Sequence, residues 1–108
     1  MAPTVPPPPR FHPAASANSL APGQGRTVEL EGRRFALFNV DGKFHAIEDA
    51  CPHRGAPLGA GLVEGARVYC PMHGWCFDVE TGACASNPER PVRSYPARLE
   101  NGEVEIFF

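Results

Sequence analysis

The sequence lacks the features that would place the protein in a membrane or on a nucleic acid. It has no run of about 18 apolar residues, which a membrane-spanning helix would need, and no cluster of Lys and Arg that could meet a phosphate backbone. Its net charge at pH 7 is −2. The first ten residues include four consecutive prolines and lack the apolar centre of a secretory signal peptide. We therefore expect a cytoplasmic protein with no nucleic-acid or membrane partner.

The sequence also lacks helical periodicity. No window of ordinary helix length repeats its apolar residues every 3.6 positions, and short runs rich in Val, Phe, Ile and Tyr alternate with glycine-containing turns. This pattern predicts one all-β domain, an antiparallel barrel or sandwich over residues 11–108, after a proline-rich extended tail at residues 1–10. The two-residue hairpin turns indicated best are Asp41-Gly42 and Asn101-Gly102. The predicted strands are 27–31, 34–40, 43–47, 67–69, 75–79, 92–99 and 103–107.

Two of the four cysteines and two of the four histidines fall in two short motifs. These are Cys51-Pro52-His53 and Cys70-Pro71-Met72-His73, with sixteen residues between His53 and Cys70. Thiolate and neutral imidazole are both good iron ligands, and the neighbouring prolines and glycines favour stiff, tight loops. The motifs therefore predict two loops, residues 51–62 and 70–75, that project from one end of the fold and converge on one metal centre.

A structural zinc site is the alternative interpretation of these four residues. Zinc accepts two thiolates and two imidazoles in a closed tetrahedron. Common zinc fingers, however, pair Cys with Cys and His with His along the chain, whereas each pair here is mixed. Metal analysis that found zinc without inorganic sulfide would establish a structural or regulatory zinc-binding module.

The motifs resemble those of the Rieske [2Fe–2S] family, and the likeness extends beyond the candidate ligands. From residue 51, Cys-Pro-His-Arg-Gly-Ala-Pro-Leu is similar to the first cluster loop of soluble Rieske ferredoxins and oxygenase domains. From residue 70, Cys-Pro-Met-His-Gly-Trp-Cys-Phe-Asp is similar to the second, and residues 87–91 resemble a proline-bearing third loop. The resemblance implies a Rieske-type β fold with a cluster-binding loop subdomain. It also implies a [2Fe–2S] cluster with one iron held by Cys51 and Cys70 and the outer iron held by His53 and His73.

The resemblance further implies an electron-carrier protein and not an enzyme. Such a ferredoxin would take single electrons from a flavin-dependent reductase and pass them to a Rieske oxygenase. An oxygenase itself needs a mononuclear iron held by two histidines and a carboxylate, and only His12 and His45 are left over. The alternative partner is a large catalytic subunit, because Pro57-Leu58 and residues 92–96 are also similar to the small subunit of assimilatory nitrite reductase.

In its two candidate metal loops, the sequence departs from the high-potential members of the Rieske family. Those relatives join their two cluster loops by a disulfide, but the corresponding positions here are Ala56 and Met72. Cys76 and Cys84, the two cysteines outside the motifs, are expected to be reduced thiols, as in a cytosolic protein. Trp75 and Phe77 occupy the positions where high-potential relatives have sulfur-directed hydroxyl groups. The resemblance therefore implies a low midpoint potential, about −150 mV.

Overall fold

The chain forms short antiparallel strands, and its only helices in the described part are two three-residue 3₁₀ turns. The structure is a computed structural model that describes residue 5 and residues 7–108. The 3₁₀ turns are Ala17–Ser19 and Leu58–Ala60. None of these helices is long and apolar enough to cross a bilayer. The strands are β1 Phe11–Ser16, β2 Gly25–Leu30, β3 Arg33–Val40, β4 Lys43–Glu48, β5 Leu62–Glu64, β6 Arg67–Tyr69, β7 Cys76–Asp78, β8 Ser94–Tyr95, β9 Ala97–Glu100 and β10 Glu103–Phe107.

The strands form three antiparallel sheets, which confirms the all-β prediction. Their strand orders are β1-β10-β9, β2-β3-β4-β8 and β5-β6-β7. The first sheet joins the two ends of the described chain, because Phe11 pairs with Phe107. The third sheet is a short meander whose β6–β7 turn is the second predicted metal loop. The sheets thus form a base with the predicted loops at one end.

Both predicted hairpin turns join adjacent strands at the expected positions. Asp41 and Gly42 have φ values of 51° and 89°, and Asn101 and Gly102 have values of 51° and 80°. Positive φ at both central residues is the signature of a type I′ turn, which matches the right-handed twist of the flanking strands. These turns connect β3 to β4 and β9 to β10.

Two separate hydrophobic clusters stabilise the fold. One packs the β1-β10-β9 sheet against the larger sheet, and the other lies beneath the predicted metal loops. The first comprises Leu20, Val28, Phe35, Leu37, Phe44, Ala46, Val104 and Ile106. The second comprises Ala36, Phe38, Ile47, Cys51, Ala56, Leu58, Val68, Cys70, Phe77, Val79, Cys84 and Val92. The candidate cysteine ligands therefore belong to the second cluster, which ties the metal loops to the apolar interior.

The strand predictions were wrong in three places. β1 and β5 were not predicted, and the single strand expected over 92–99 is divided into β8 and β9. Pro96 separates these two strands, because proline has no N–H to donate to a sheet. The domain limits stay a prediction, since the proposed tail at residues 1–10 includes residues 1–4 and 6, which lie outside the described residues.

Candidate metal centre

The first metal loop, residues 51–57 (loop 1), is a tight turn closed by its own backbone. The N–H of Cys51 donates to the carbonyl of Ala56 at 2.9 Å, and the N–H of Gly55 donates to the carbonyl of Cys51. Gly55 has φ 74°, a left-handed conformation that glycine adopts without steric cost. The chain therefore turns back on itself between the cysteine and the following alanine, and His53 lies at the tip.

The second metal loop, residues 70–75 (loop 2), repeats the same turn. The N–H of Cys70 donates to the carbonyl of Trp75 at 2.8 Å, and the N–H of Gly74 donates to the carbonyl of Cys70 at 2.9 Å. Gly74 has φ 72°, close to the value of its counterpart in loop 1. The histidine differs in place: it is the third residue of loop 1 but the fourth of loop 2.

The two loops bring the four predicted ligands together as a thiol pair and an imidazole pair. Cys51 and Cys70 are 1% and 4% exposed, and Cys70 is near enough to raise the pKa of the Cys51 thiol. His53 and His73 are exposed at the surface, with ring centroids 4.6 Å apart. Among the described residues no three metal-binding side chains converge on one point. Two pairs, one of sulfur and one of nitrogen donors, fit a centre with two metal ions.

The surroundings of Cys51 suit a metal-bound sulfur. Burial raises the pKa of its thiol, the backbone N–H groups of His53 and Arg54 lower it, and contact with Cys70 raises it again. Desolvation disfavours a bare thiolate, whereas N–H groups directed at sulfur favour the charged form. A bound cation would remove the first obstacle and leave the N–H donors in place.

The indole of Trp75 packs flat against the imidazole of His53. The ring centroids are 4.8 Å apart and the planes differ by 22°. The pKa of His53 is lowered, first by partial desolvation and then by the charges of His73, Arg54 and Arg90. A lowered pKa keeps the imidazole neutral, which is the form that binds metal. Trp75 is half-buried and also packs on the cluster beneath the loops.

A buried carboxylate that the sequence analysis did not identify fastens loop 1 to the base. Asp49 is 3% exposed. Its Oδ1 accepts hydrogen bonds from Thr27 Oγ1 at 2.8 Å and from the N–H of Gly59 at 2.9 Å, and Arg34 lies 3.7 Å from its Oδ2. An added Cβ at Gly59 would lie 2.4 Å from the backbone nitrogen of Thr27, so the two segments are in close contact. The sequence signal that could have identified Asp49 is an acidic residue two positions before the candidate ligand Cys51.

A third loop, residues 86–91 (loop 3), crosses to the tip of loop 1. The Arg90 guanidinium donates to the carbonyl of Pro52 at 2.7 Å, and the Arg90 N–H closes a turn on the carbonyl of Asn87. Asn87 N–H in turn donates to Cys84 Sγ at 3.3 Å. Cys84 and Cys76 are both free and buried, as expected from the sequence. Loop 3 therefore places a cation beside His53.

Comparison with known proteins agrees with this geometry. The model of the Rieske [2Fe–2S] domain family matches residues 10–96. The chain is 36% identical over 100 residues to the biphenyl dioxygenase ferredoxin subunit of Pseudomonas sp. strain KKS102, covering 91% of this chain and 92% of that protein. It is 37% identical over 100 residues to the 4beta-methylsterol monooxygenase of Methylococcus capsulatus, covering 82% of this chain but only 27% of that protein.

Two solved structures share the fold over almost their whole length. One is the complex of reduced oxygenase and oxidized ferredoxin in carbazole 1,9a-dioxygenase, with 34% identity and a TM-score of 0.81, covering 89% of this chain and 91% of the matched chain. The other is described as a NADH-dependent nitrite reductase small subunit from Mycobacterium tuberculosis, with 30% identity and a TM-score of 0.85. This match covers 93% of this chain and 96% of the matched chain. The family match favours iron–sulfur over the zinc alternative, and the chain belongs to the Rieske [2Fe–2S] domain family, whose cofactor is a [2Fe–2S] cluster.

Proposed function

We propose that this chain is a one-electron carrier, a Rieske-type ferredoxin that accepts electrons from a flavin-dependent reductase and delivers them to a Rieske oxygenase. The observation that carries the proposal is the pairing of two buried thiols with two exposed imidazoles at one end of the fold. The proposal is supported by the match to the biphenyl dioxygenase ferredoxin subunit, because this chain covers 92% of that protein. By contrast, the chain spans only about a quarter of the monooxygenase that it matches.

Cys51 and Cys70 would hold the inner iron, and His53 and His73 the outer one. The buried thiols keep the sulfur side of the site away from water, while the exposed imidazoles leave the nitrogen side open to a partner. When bound, the cluster gains and loses one electron at a time. Asp49, Arg90 and the two glycine turns would hold the ligand loops in place around the cluster.

The two histidines outside the loops support a carrier role over an oxygenase role. His12 lies in β1 and stacks on Phe108 with ring centroids 3.8 Å apart. His45 lies in β4, in another sheet, with Nε2 3.6 Å from Glu80. They line different cavities. Neither position brings two imidazoles and a carboxylate together, as a mononuclear iron site requires.

The test is iron and acid-labile sulfide analysis of the purified protein, with the visible and electron paramagnetic resonance spectra of its reduced form. We expect equal amounts of iron and sulfide and a Rieske-type spectrum, and reversible reduction by one electron per chain. Zinc without sulfide, or a cluster that does not cycle, would refute the proposal.

A subunit of a nitrite reductase is the second candidate. The nitrite reductase small subunit has the higher TM-score of the two solved structures, and its share of coverage is also higher. Purification from the native cell separates the two candidates. A large catalytic subunit that stays bound through gel filtration would favour the second, and a free chain that supports turnover of a separate oxygenase would favour the first.

A further inference from the structure

Charge is distributed unevenly between the ligand end and the base. Loops 1, 2 and 3 contain three charged side chains, Arg54, Glu89 and Arg90, so their net charge is +1. The whole chain carries −2. The excess of negative side-chain charge therefore lies entirely outside these loops, and the side chains at the end that exposes the imidazoles have the opposite net sign to those of the rest of the protein.

The two arginines are close to the exposed imidazoles. Arg54 follows His53 directly in the chain and Arg90 contacts Pro52, which precedes His53, and both arginine side chains are exposed. Arg90 is held in place, since its guanidinium donates to the carbonyl of Pro52 and the loop that carries it is closed by its own hydrogen bonds. Arg54 makes no side-chain hydrogen bond or ion pair within residues 7–108. Its charge is therefore available to a partner.

Apolar side chains lie on the same loops. Met72 is 58% exposed, and Pro71 and Pro88 are exposed as well. A small apolar centre with charged groups beside it is suited to brief redox encounters, whose interfaces are usually below about 1,200 Å². Charge in such an interface steers the approach and selects the partner more than it adds affinity.

We propose that this end of the chain docks a protein partner whose contact surface presents Asp and Glu carboxylates to Arg54 and Arg90. The inference rests on the proposed electron-carrier function and adds the chemistry of the partner. Net charge alone gives the opposite expectation, because a chain of −2 would be repelled by an acidic surface. The two expectations can therefore be separated by the sign of the salt dependence.

The first experiment follows oxidation of the reduced holoprotein by hexacyanoferrate(III), an anionic one-electron acceptor, by stopped flow. One electron passes from the reduced protein to the iron complex, giving hexacyanoferrate(II). We expect the rate to fall as ionic strength rises from about 10 mM to about 500 mM, because salt screens an attraction. A rate that rises with salt would overturn the proposal.

Charge variants locate the effect. R54E should lower the rate at low salt several-fold and reverse the salt dependence. R90Q, which keeps a donor for Pro52, should lower it by a smaller factor. K43E is the matched control, because Lys43 begins β4 at the end remote from Cys51 and its replacement changes the net charge equally. An effect of K43E as large as that of R54E would contradict local docking.

A second experiment uses no electron transfer. The holoprotein should bind immobilised poly-L-glutamate at low salt in surface plasmon resonance, and R54E should not; absence of binding by the unmodified protein would overturn the proposal. The two levels of inference fail separately. A protein that dithionite and air cannot cycle refutes the carrier function, whereas a protein that cycles but is repelled by the anion refutes only the docking surface.

Discussion

Loops 1 and 2 have the same turn but are held in place by different means. Loop 2 joins two paired strands, and Tyr69 at one end lies opposite Cys76 at the other. Loop 1 joins β4 to the 3₁₀ turn at Leu58–Ala60, with only an isolated bridge between Ala50 and Pro57 across its base. A hairpin positions loop 2 locally, whereas loop 1 depends on side chains from distant segments. The same ligand geometry can therefore come from local pairing or from tertiary contacts.

The largest effect should follow from loss of either thiol ligand, despite the different support of the loops. We expect C51S and C70S each to lose iron, sulfide and visible absorption completely, because each loop supplies one of the two sulfur ligands. Metal analysis and the visible spectrum are the measurements. C84A is the control, since Cys84 is buried and lies outside both loops. A variant of either ligand that kept the native spectrum would refute the ligand assignment.

Asp49 should stabilise the position of loop 1 through its hydrogen bonds to Thr27 and Gly59. Loop 2, which joins two paired strands, should not depend on such a carboxylate. D49N replaces a buried carboxylate that accepts hydrogen bonds from Thr27 and Gly59. We expect this substitution to destabilise the holoprotein by about 2 kcal/mol and to speed loss of the cluster. Urea unfolding and the decay of visible absorption measure the two effects.

D78N is the control for D49N. Asp78 also accepts two N–H groups, but in an exposed turn away from the loops. Equal loss of the cluster in D49N and D78N would contradict a specific role for Asp49.

The two glycine turns should respond equally, because their conformations match. G55A and G74A each place a side chain at positive φ with no atom within 4 Å of the new Cβ, so each should cost about 1 kcal/mol through backbone strain alone. Urea unfolding measures the cost. G23A, at φ 85° and remote from the loops, should cost the same without faster loss of the cluster. Unequal costs in loops 1 and 2 would show that the turns are not equivalent.

Trp75 should affect the pH at which the centre is lost in acid. Stacked against the indole, His53 is partly desolvated, and this is the main cause of its lowered pKa. Desolvation disfavours the imidazolium, so protonation competes with metal binding only at lower pH. W75A should therefore lose visible absorption at a higher pH than the unmodified protein, and W75F should lie between them. An unchanged acid profile in W75A would rule out this role for the indole.

The smallest predicted difference concerns the redox potential of the centre. Trp75 and Phe77 carry no hydroxyl group, and Phe77 is fully buried in the cluster beneath the loops. Hydrogen bonds to sulfur favour the reduced state, so the absence of these two hydroxyl donors should leave the midpoint potential at about −150 mV. Potentiometry tests this, and a midpoint above zero would contradict it.

The sequence was informative wherever the signal was local. Asp41-Gly42 and Asn101-Gly102 predicted their hairpins, because φ is positive at both residues of such turns and Asn, Asp and Gly tolerate it. The spacing of the cysteines and histidines indicated the two candidate metal loops, because two side chains that are two or three residues apart lie within one turn. This signal is also local. β1 was missed because its residues include Pro13, Ala14 and Ala15, which are types depleted in strands, so its local pattern gave no strand signal.

The candidate donor set, the glycine turns and the all-β character of this protein could be predicted from the amino-acid sequence, since each depends on neighbours in the chain. How the loops are held and what surrounds them depend instead on contacts between distant segments. Asp49 meets Thr27 across 22 positions, and Arg90 meets Pro52 across 38. Such contacts carry no local pattern. They arise when the two hydrophobic clusters close and bring polar groups near enough to pair, because an unpaired buried carboxylate would be costly.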